Sequence, residues 1–126
     1  MMRLLLDTQI VYWIYYETGG LAQRARQLMM QADSIHVSSV SIWEIAVKAR
    51  LGRIQADPQL LVEKIRGSGF LELAVLYAHV LEVANLPMHH ADPFDRLLVA
   101  QAVRENLSLL TTDARLPQYS SLVIQV

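Results

Sequence analysis

The chain opens on Leu4-Leu5-Leu6, an unbroken apolar run of the kind that marks a strand buried on both faces. Asp7 ends the run. Thr8 to Tyr16 (TQIVYWIYY) then has the pattern of a short helix with four aromatics, closed by Gly19-Gly20. A second helical pattern occupies Leu21 to Ala32, and Ser34 to Ser38 (SIHVS) is strand-like. Ser41 to Leu51 (SIWEIAVKARL) is an amphipathic helix that Gly52 stops. Asp57-Pro58 supplies an N-cap and a first-turn proline for a helix ending near Gly67-Ser68-Gly69, and Phe70 to Val75 is the next strand. Leu76 to Asn85 is helical up to Pro87. Asp92-Pro93 opens a long helix through Phe94, Leu97, Leu98, Ala100, Ala102 and Val103, after which Ser108 to Thr111 (SLLT) and Leu122 to Val126 (LVIQV) complete the strands. Strands alternating with helices predict an α/β domain with a mostly parallel sheet covered by helices on both faces. With 126 residues and no repeat, linker or low-complexity stretch, one domain spanning residues 1–126 is expected.

Composition narrows the function classes. Hydrophobic residues make up 53% of the chain, high enough to exclude general disorder and to predict that some apolar surface stays exposed. Eleven basic against twelve acidic residues leave a formal charge of −1, so any site for a polyanion must be local. The absence of cysteine excludes disulfide scaffolds, thiolate zinc sites and cysteine nucleophiles. The N-terminal apolar run is too short for a signal peptide, and no segment approaches the roughly 18 to 20 apolar residues of a membrane span, so a cytoplasmic protein is expected. There is no Gly-rich phosphate loop and no GxSxG nucleophile elbow.

In open α/β sheets ligands bind beyond the carboxyl ends of the strands, and the pattern puts four acids there. Asp7 follows the first strand, and Glu44 lies in the first turn of the helix after the second. Asp95 lies in the first turn of the Asp92-Pro93 helix, and Asp113 follows the Ser108 to Thr111 strand. Each acid also has a purely structural role open to it. Ser41-x-x-Glu44 fits a capping box, Asp92 fits a helix cap, and Asp7 and Asp113 fit turn positions. Four carboxylates gathered at one sheet edge would raise one another's pKa unless a cation sat among them. An all-oxygen donor set favours Mg²⁺ or Mn²⁺, and such a site performs metal-dependent phosphodiester hydrolysis.

At this point the chain resembles the PIN-domain ribonucleases, most closely the VapC-type toxins of type II toxin-antitoxin modules. The matching segments are LLLDTQIVYW (Leu4 to Trp13), VSSVSIWEIAVKARLGRI (Val37 to Ile54), HHADPFDRLLVAQA (His89 to Ala102) and LLTTDARL (Leu109 to Leu116). The resemblance implies a three-layer α/β/α fold, with Asp7, Glu44, Asp95 and Asp113 as the acidic quartet that binds Mg²⁺ or Mn²⁺. Thr111 matches a supporting hydroxyl. The resemblance further implies endonucleolytic cleavage of RNA by metal-activated water, leaving 5′-phosphate and 3′-hydroxyl ends. It also implies a homodimer that a cognate antitoxin protein neutralises by laying a segment across the aromatic first helix into the acidic site.

The remaining polar residues divide between chemistry and support. Arg96, next to Asp95, is assigned a supporting role, and Lys48, Arg50 and Arg53 are candidate RNA-phosphate contacts on one helix and its end. His89 and His90 are expected at the surface and His36 and His79 in packed or edge positions, none of them as metal ligands. Tyr12, Trp13, Tyr15 and Tyr16 suit packing and an interface better than base stacking. Two other classes compete: a phosphoryl-accepting receiver, which needs a lysine near the last strand where this chain has none, and a non-catalytic PIN-like RNA- or protein-binding module.

Overall fold

Leu4, Leu5 and Leu6 have no solvent exposure because strand β1 (Arg3–Leu6) lies at the centre of a five-stranded sheet with helices on both sides. The structure is a computed structural model that describes residues 1–17 and 21–126; the helix stop expected at Gly19-Gly20 lies outside the described residues. The other strands are β2 (Ser34–Ser38), β3 (Leu71–Leu73), β4 (Ser108–Thr111) and β5 (Val123–Gln125). Their order is β3-β2-β1-β4-β5, and every pairing is parallel, with Leu5 opposite His36 on one side and Leu109 on the other.

Alternation along the strands divides the core in two. Leu4, Leu6 and Leu110 face a cluster containing Ile10 and Val11 of α1 (Thr8–Tyr16) and Ala25 of α2 (Gln23–Gln31). Ile45 of α3 (Ser39–Arg50) and Leu61 and Ile65 of α4 (Pro58–Gly67) complete that layer. Leu5 and Leu109 face the opposite cluster, built on Leu98, Val99 and Ala102 of α6 (Pro93–Glu105), against which α5 (Tyr77–Asn85) packs. The three layers expected from the resemblance are therefore present, and the sheet is wholly parallel. Among the described residues no helix is long and apolar enough to cross a membrane.

The main departure from expectation lies at the start of α3. Ser38, not Ser41, is the N-cap: its hydroxyl accepts from the Val40 N–H at 3.0 Å, so the helix begins two residues before the predicted start. The capping box proposed for Ser41 and Glu44 is thereby corrected. Ser41 sits inside the helix, where its hydroxyl accepts from Thr8 Oγ1 at 3.0 Å, and Glu44 lies in the second turn with its carboxylate free for another task. A hydroxyl at the junction with β2 satisfies the first free amides as soon as the strand ends, and so wins over the later one.

The parallel topology fixes where a site forms. From β1 the chain moves outward through β2 and β3, then returns to the other side of β1 with β4 and β5. The reversal falls between β1 and β4, and a crevice opens beyond their carboxyl ends. Asp7 and Asp113 lie just past those two ends.

Candidate active site

The crevice is a cleft of about 490 Å³ whose lining includes all four acids expected to meet there: Asp7, Glu44, Asp95 and Asp113. Each arrives from a different element. Asp7 caps α1, its Oδ1 accepting from the Thr8 N–H at 2.7 Å while its Oδ2 accepts from the Thr111 hydroxyl at 2.6 Å. Thr111 in turn accepts from the Asp113 N–H at 3.0 Å, so one hydroxyl ties the ends of β1 and β4 together at the floor of the cleft. Asp95 is set in the first turn of α6 because Asp92 accepts from the Phe94 and Asp95 amides at 2.9 and 3.1 Å. Asp92 thus serves as the helix cap expected of it, while also contributing to the cleft wall.

The charges in this cleft are poorly compensated. Burial pushes the Asp7 carboxyl up to about 7, against the lowering effect of the Thr111 hydroxyl, and nearby Asp95 and Glu44 push it in the same direction. Asp95 is also raised to about 7, first by burial and then by repulsion from Asp92, Glu44 and Asp113. Glu44 is 4% exposed; its Oε2 accepts from Lys48 Nζ at 2.6 Å, and its Oε1 is buried without a hydrogen-bond partner among the described residues. Asp113, like Glu44, has a cationic partner. Arg115 grips it through Nε and Nη2 at 2.7 to 3.2 Å and holds its carboxyl below the usual carboxylate range.

These features fit a divalent cation. Oxygen donors alone, two carboxyls whose ionisation is suppressed by burial and by neighbouring acids, and a buried carboxylate oxygen with no partner among the described residues together make a donor set whose ionisation a cation would favour. Among the described residues no three His, Asp or Glu side chains already stand at coordination spacing. The resident cations explain part of this, since Lys48 draws on Glu44 and Arg115 on Asp113. Of the three candidate phosphate contacts, only Lys48 borders the cleft; Arg50 and Arg53 are exposed outside its lining.

Arg96 lies behind Asp95, outside the lining of the cleft. It is 7% exposed and donates to the carbonyls of Pro87, Val83 and Leu86 at 2.8 to 3.4 Å, and to the Tyr119 hydroxyl at 3.2 Å; none of these partners is a carboxylate. The Tyr119 hydroxyl also accepts from the His90 amide at 3.2 Å, and it lies 2.7 Å from His90 Nδ1 and 3.5 Å from the His90 carbonyl, to which it can donate. His90 Nε2 faces Asp95 Oδ2 at 3.3 Å. The expectation that His90 is merely a surface residue needs correction, because its ring is buried between Tyr119 and Asp95. His89 does remain exposed, its ring edge-on to Tyr119. His79, by contrast, is fully buried as a structural tie between α5 and Glu105.

Arg96→Met should cost about 2–4 kcal/mol of unfolding free energy by stranding partly buried carbonyls, a loss readable in urea denaturation. A loss below about 0.5 kcal/mol, the ordinary range of surface substitutions, would show that the guanidinium is not what holds this segment.

Arg115 was the residue sequence reasoning overlooked. Its only signal was the two-residue spacing in Asp113-Ala114-Arg115, which in a turn lets a guanidinium fold back onto its own loop's carboxylate.

A wholly parallel α/β/α sheet with acids at its switch point is the frame of a PIN domain, and comparison by sequence agrees. The profile of the PIN domain family matches residues 4–122, and the chain belongs to that family. It is 34% identical over 122 residues to Ribonuclease VapC22 of Mycobacterium tuberculosis, with 92% of this chain and 91% of that protein aligned. Among solved structures, it superposes with a TM-score of 0.72 on a chain of VapBC2 from Rickettsia felis bound to a DNA fragment from their promoter, at 18% identity and 98% coverage of each chain. A toxin-antitoxin complex from Klebsiella pneumoniae gives 0.68 at 17% identity, covering 97% of this chain and 96% of that one. DNA-bound VapBC from Salmonella typhimurium gives 0.69 at 13% identity, covering 99% and 98%. At these identities the structural likenesses speak for the fold.

Proposed function

We propose that this protein is a divalent-metal-dependent endoribonuclease and the toxin of a type II toxin-antitoxin pair. The observation that carries the proposal is the set of buried acids Asp7, Glu44 and Asp95 in one cleft, of which Asp7 and Asp95 lack a cation of comparable strength to that of Glu44, with Asp113 on its rim. The 34% identity to a ribonuclease along nearly the whole chain supports RNA as the substrate class.

Asp7, Glu44, Asp95 and Asp113 are the residues that would hold Mg²⁺ or Mn²⁺. Such an ion would supply an acidified water and charge stabilisation for phosphodiester hydrolysis, whose products here would carry 5′-phosphate and 3′-hydroxyl ends. The chain's own residues do the positioning. Thr111 fixes the rotamer of Asp7, His90 and the Asp92 cap orient Asp95, and Lys48 holds Glu44 while offering a cation to the backbone of an entering strand.

Recognition by an antitoxin protein is supported by the three neighbouring structures, each from a toxin-antitoxin complex. An apolar pocket between α1 and α2, lined in part by Trp13, Ile14, Met29 and Met30, suits a partner segment. A homodimer is consistent with the exposed Leu76, Tyr77, Val80 and Leu81 on and beside α5. The test is to incubate purified, partner-free protein with end-labelled structured RNAs in Mn²⁺, Mg²⁺ or EDTA. Discrete cuts in either metal, absent in EDTA, are expected. RNA binding without cleavage in any metal would overturn the nuclease assignment in favour of an inert scaffold.

A further inference from the structure

The lining of the acidic cleft contains six carboxylates, Asp7, Glu17, Glu44, Asp92, Asp95 and Asp113, and just two cations, Lys48 and Arg115. A cleft so weighted repels a polyanion unless donors are aimed into it. The two cations reach it from either side of Asp7, Lys48 from the helix that follows β2 and Arg115 from the loop that follows β4, while β1 lies between those strands. Arg115 is held there at both ends. Its amide donates to Asp113 Oδ1 at 2.9 Å, and its Nε and Nη2 edge grips the same carboxylate. That grip uses one edge of the guanidinium. Nη1 makes no hydrogen bond among the described residues, and the side chain is 59% exposed, so a second planar edge remains for an incoming ligand.

We infer that Arg115 is a substrate-phosphate contact of this site, and that Asp113 serves as the anchor that aims it. This inference rests on the assignment of the cleft as an RNA site. A guanidinium pinned along one edge keeps its planar fork pre-organised, so little side-chain freedom is lost when the other edge takes two oxygens of a phosphodiester. Arg50 and Arg53 lie outside the cleft and do not share this task.

The experiment compares wild type with Arg115→Met, Arg115→Lys and Asp113→Asn in three assays: RNA cleavage kinetics in Mn²⁺, Mn²⁺ binding by calorimetry, and RNA binding by anisotropy in an Asp95→Asn background across a salt series. Arg115→Met should raise KM about tenfold with kcat changed less than about threefold, the loss of one charge-assisted contact. Mn²⁺ affinity should not fall below that of wild type, since that variant removes no carboxylate and releases Asp113 from its competing cation. The salt slope of RNA binding should fall by about 0.7, the value of one phosphate contact on a single strand. Arg115→Lys should recover part of the affinity, and Asp113→Asn, which removes both the anchor and a carboxylate of the proposed metal site, should weaken RNA binding and Mn²⁺ binding together.

An unchanged KM and salt slope in Arg115→Met would overturn the inference. So would a loss of Mn²⁺ affinity parallel to the loss of activity, because that marks Arg115 as a support for a metal ligand. A wild type that binds RNA but cuts none in any metal removes the nuclease assignment separately, while the anisotropy arm still decides the role of Arg115.

Discussion

Asp95→Asn is expected to lower metal-dependent RNA cleavage by about 10³-fold or more while leaving the fold intact. Burial raises its pKa first, and then repulsion from Asp92, Glu44 and Asp113, so it sits where a counter-ion would be shared. Charge stabilisation by a metal contributes several kcal/mol to a transition state, and each ~1.4 kcal/mol is a factor of ten. The substitution preserves shape and the main-chain bond from the Asp95 amide to the Asp92 cap, so α6 should start as before. Asp92→Asn is the informative comparison. Asn caps a helix about as well as Asp, and residue 92 is assigned to the cap, so cleavage should change by less than about tenfold. Equal losses in the two variants, measured as initial rates on one RNA in saturating Mn²⁺, would mean that cleft charge in general matters and that Asp95 has no particular role.

The fold was legible because its strands are buried on both faces and its helices carry conventional punctuation. Leu4-Leu5-Leu6, the Asp57-Pro58 cap and the Asp92-Pro93 cap each appear in the structure where the pattern placed them. The start of α3 was not legible, because Ser38, Ser39 and Ser41 are all competent caps. The pattern already ended β2 at Ser38; what it did not carry is which of the neighbouring hydroxyls turns onto the first free amides.

The cleft shows a similar division. That four acids follow strand ends or open helices could be read from the sequence, and the sheet order brings them to one crevice. Their inequality could not be read. Asp113 is neutralised by a cation two residues away, Glu44 by one a helical turn away, and Asp7 and Asp95 by none of comparable strength. These differences depend on rotamers and burial, which the hydropathy pattern does not carry. The same holds for His90, whose ring is drawn inward by a tyrosine 29 residues distant that only the fold brings near.

The suppressed ionisation of Asp7 and Asp95 has a consequence for stability that can be measured without substrate. Both carboxyls lie near 7 in the folded chain, against an ordinary value of 3.8. Between those values the folded protein keeps protons that the unfolded chain has released, so stability falls as pH rises through this window. The contribution is fully present below about pH 4 and lost by about pH 7 to 8. Both groups are largely buried, so together they should weaken the metal-free protein by several kcal/mol across that range, with the two contributions coupled and not simply additive. In EDTA, unfolding free energy from urea titrations should therefore decline from pH 5 to pH 8. Asp7→Asn and Asp95→Asn should each flatten the decline and be more stable than wild type at pH 8, by roughly 2 to 4 kcal/mol. Mn²⁺ should reverse the difference, because it stabilises the folded wild type by mass action and does so more strongly as the carboxyls ionise. A variant with the same pH slope as wild type in EDTA would show that its carboxyl is ionised in the folded protein at ordinary pH. The cleft would then already hold its charge without a metal.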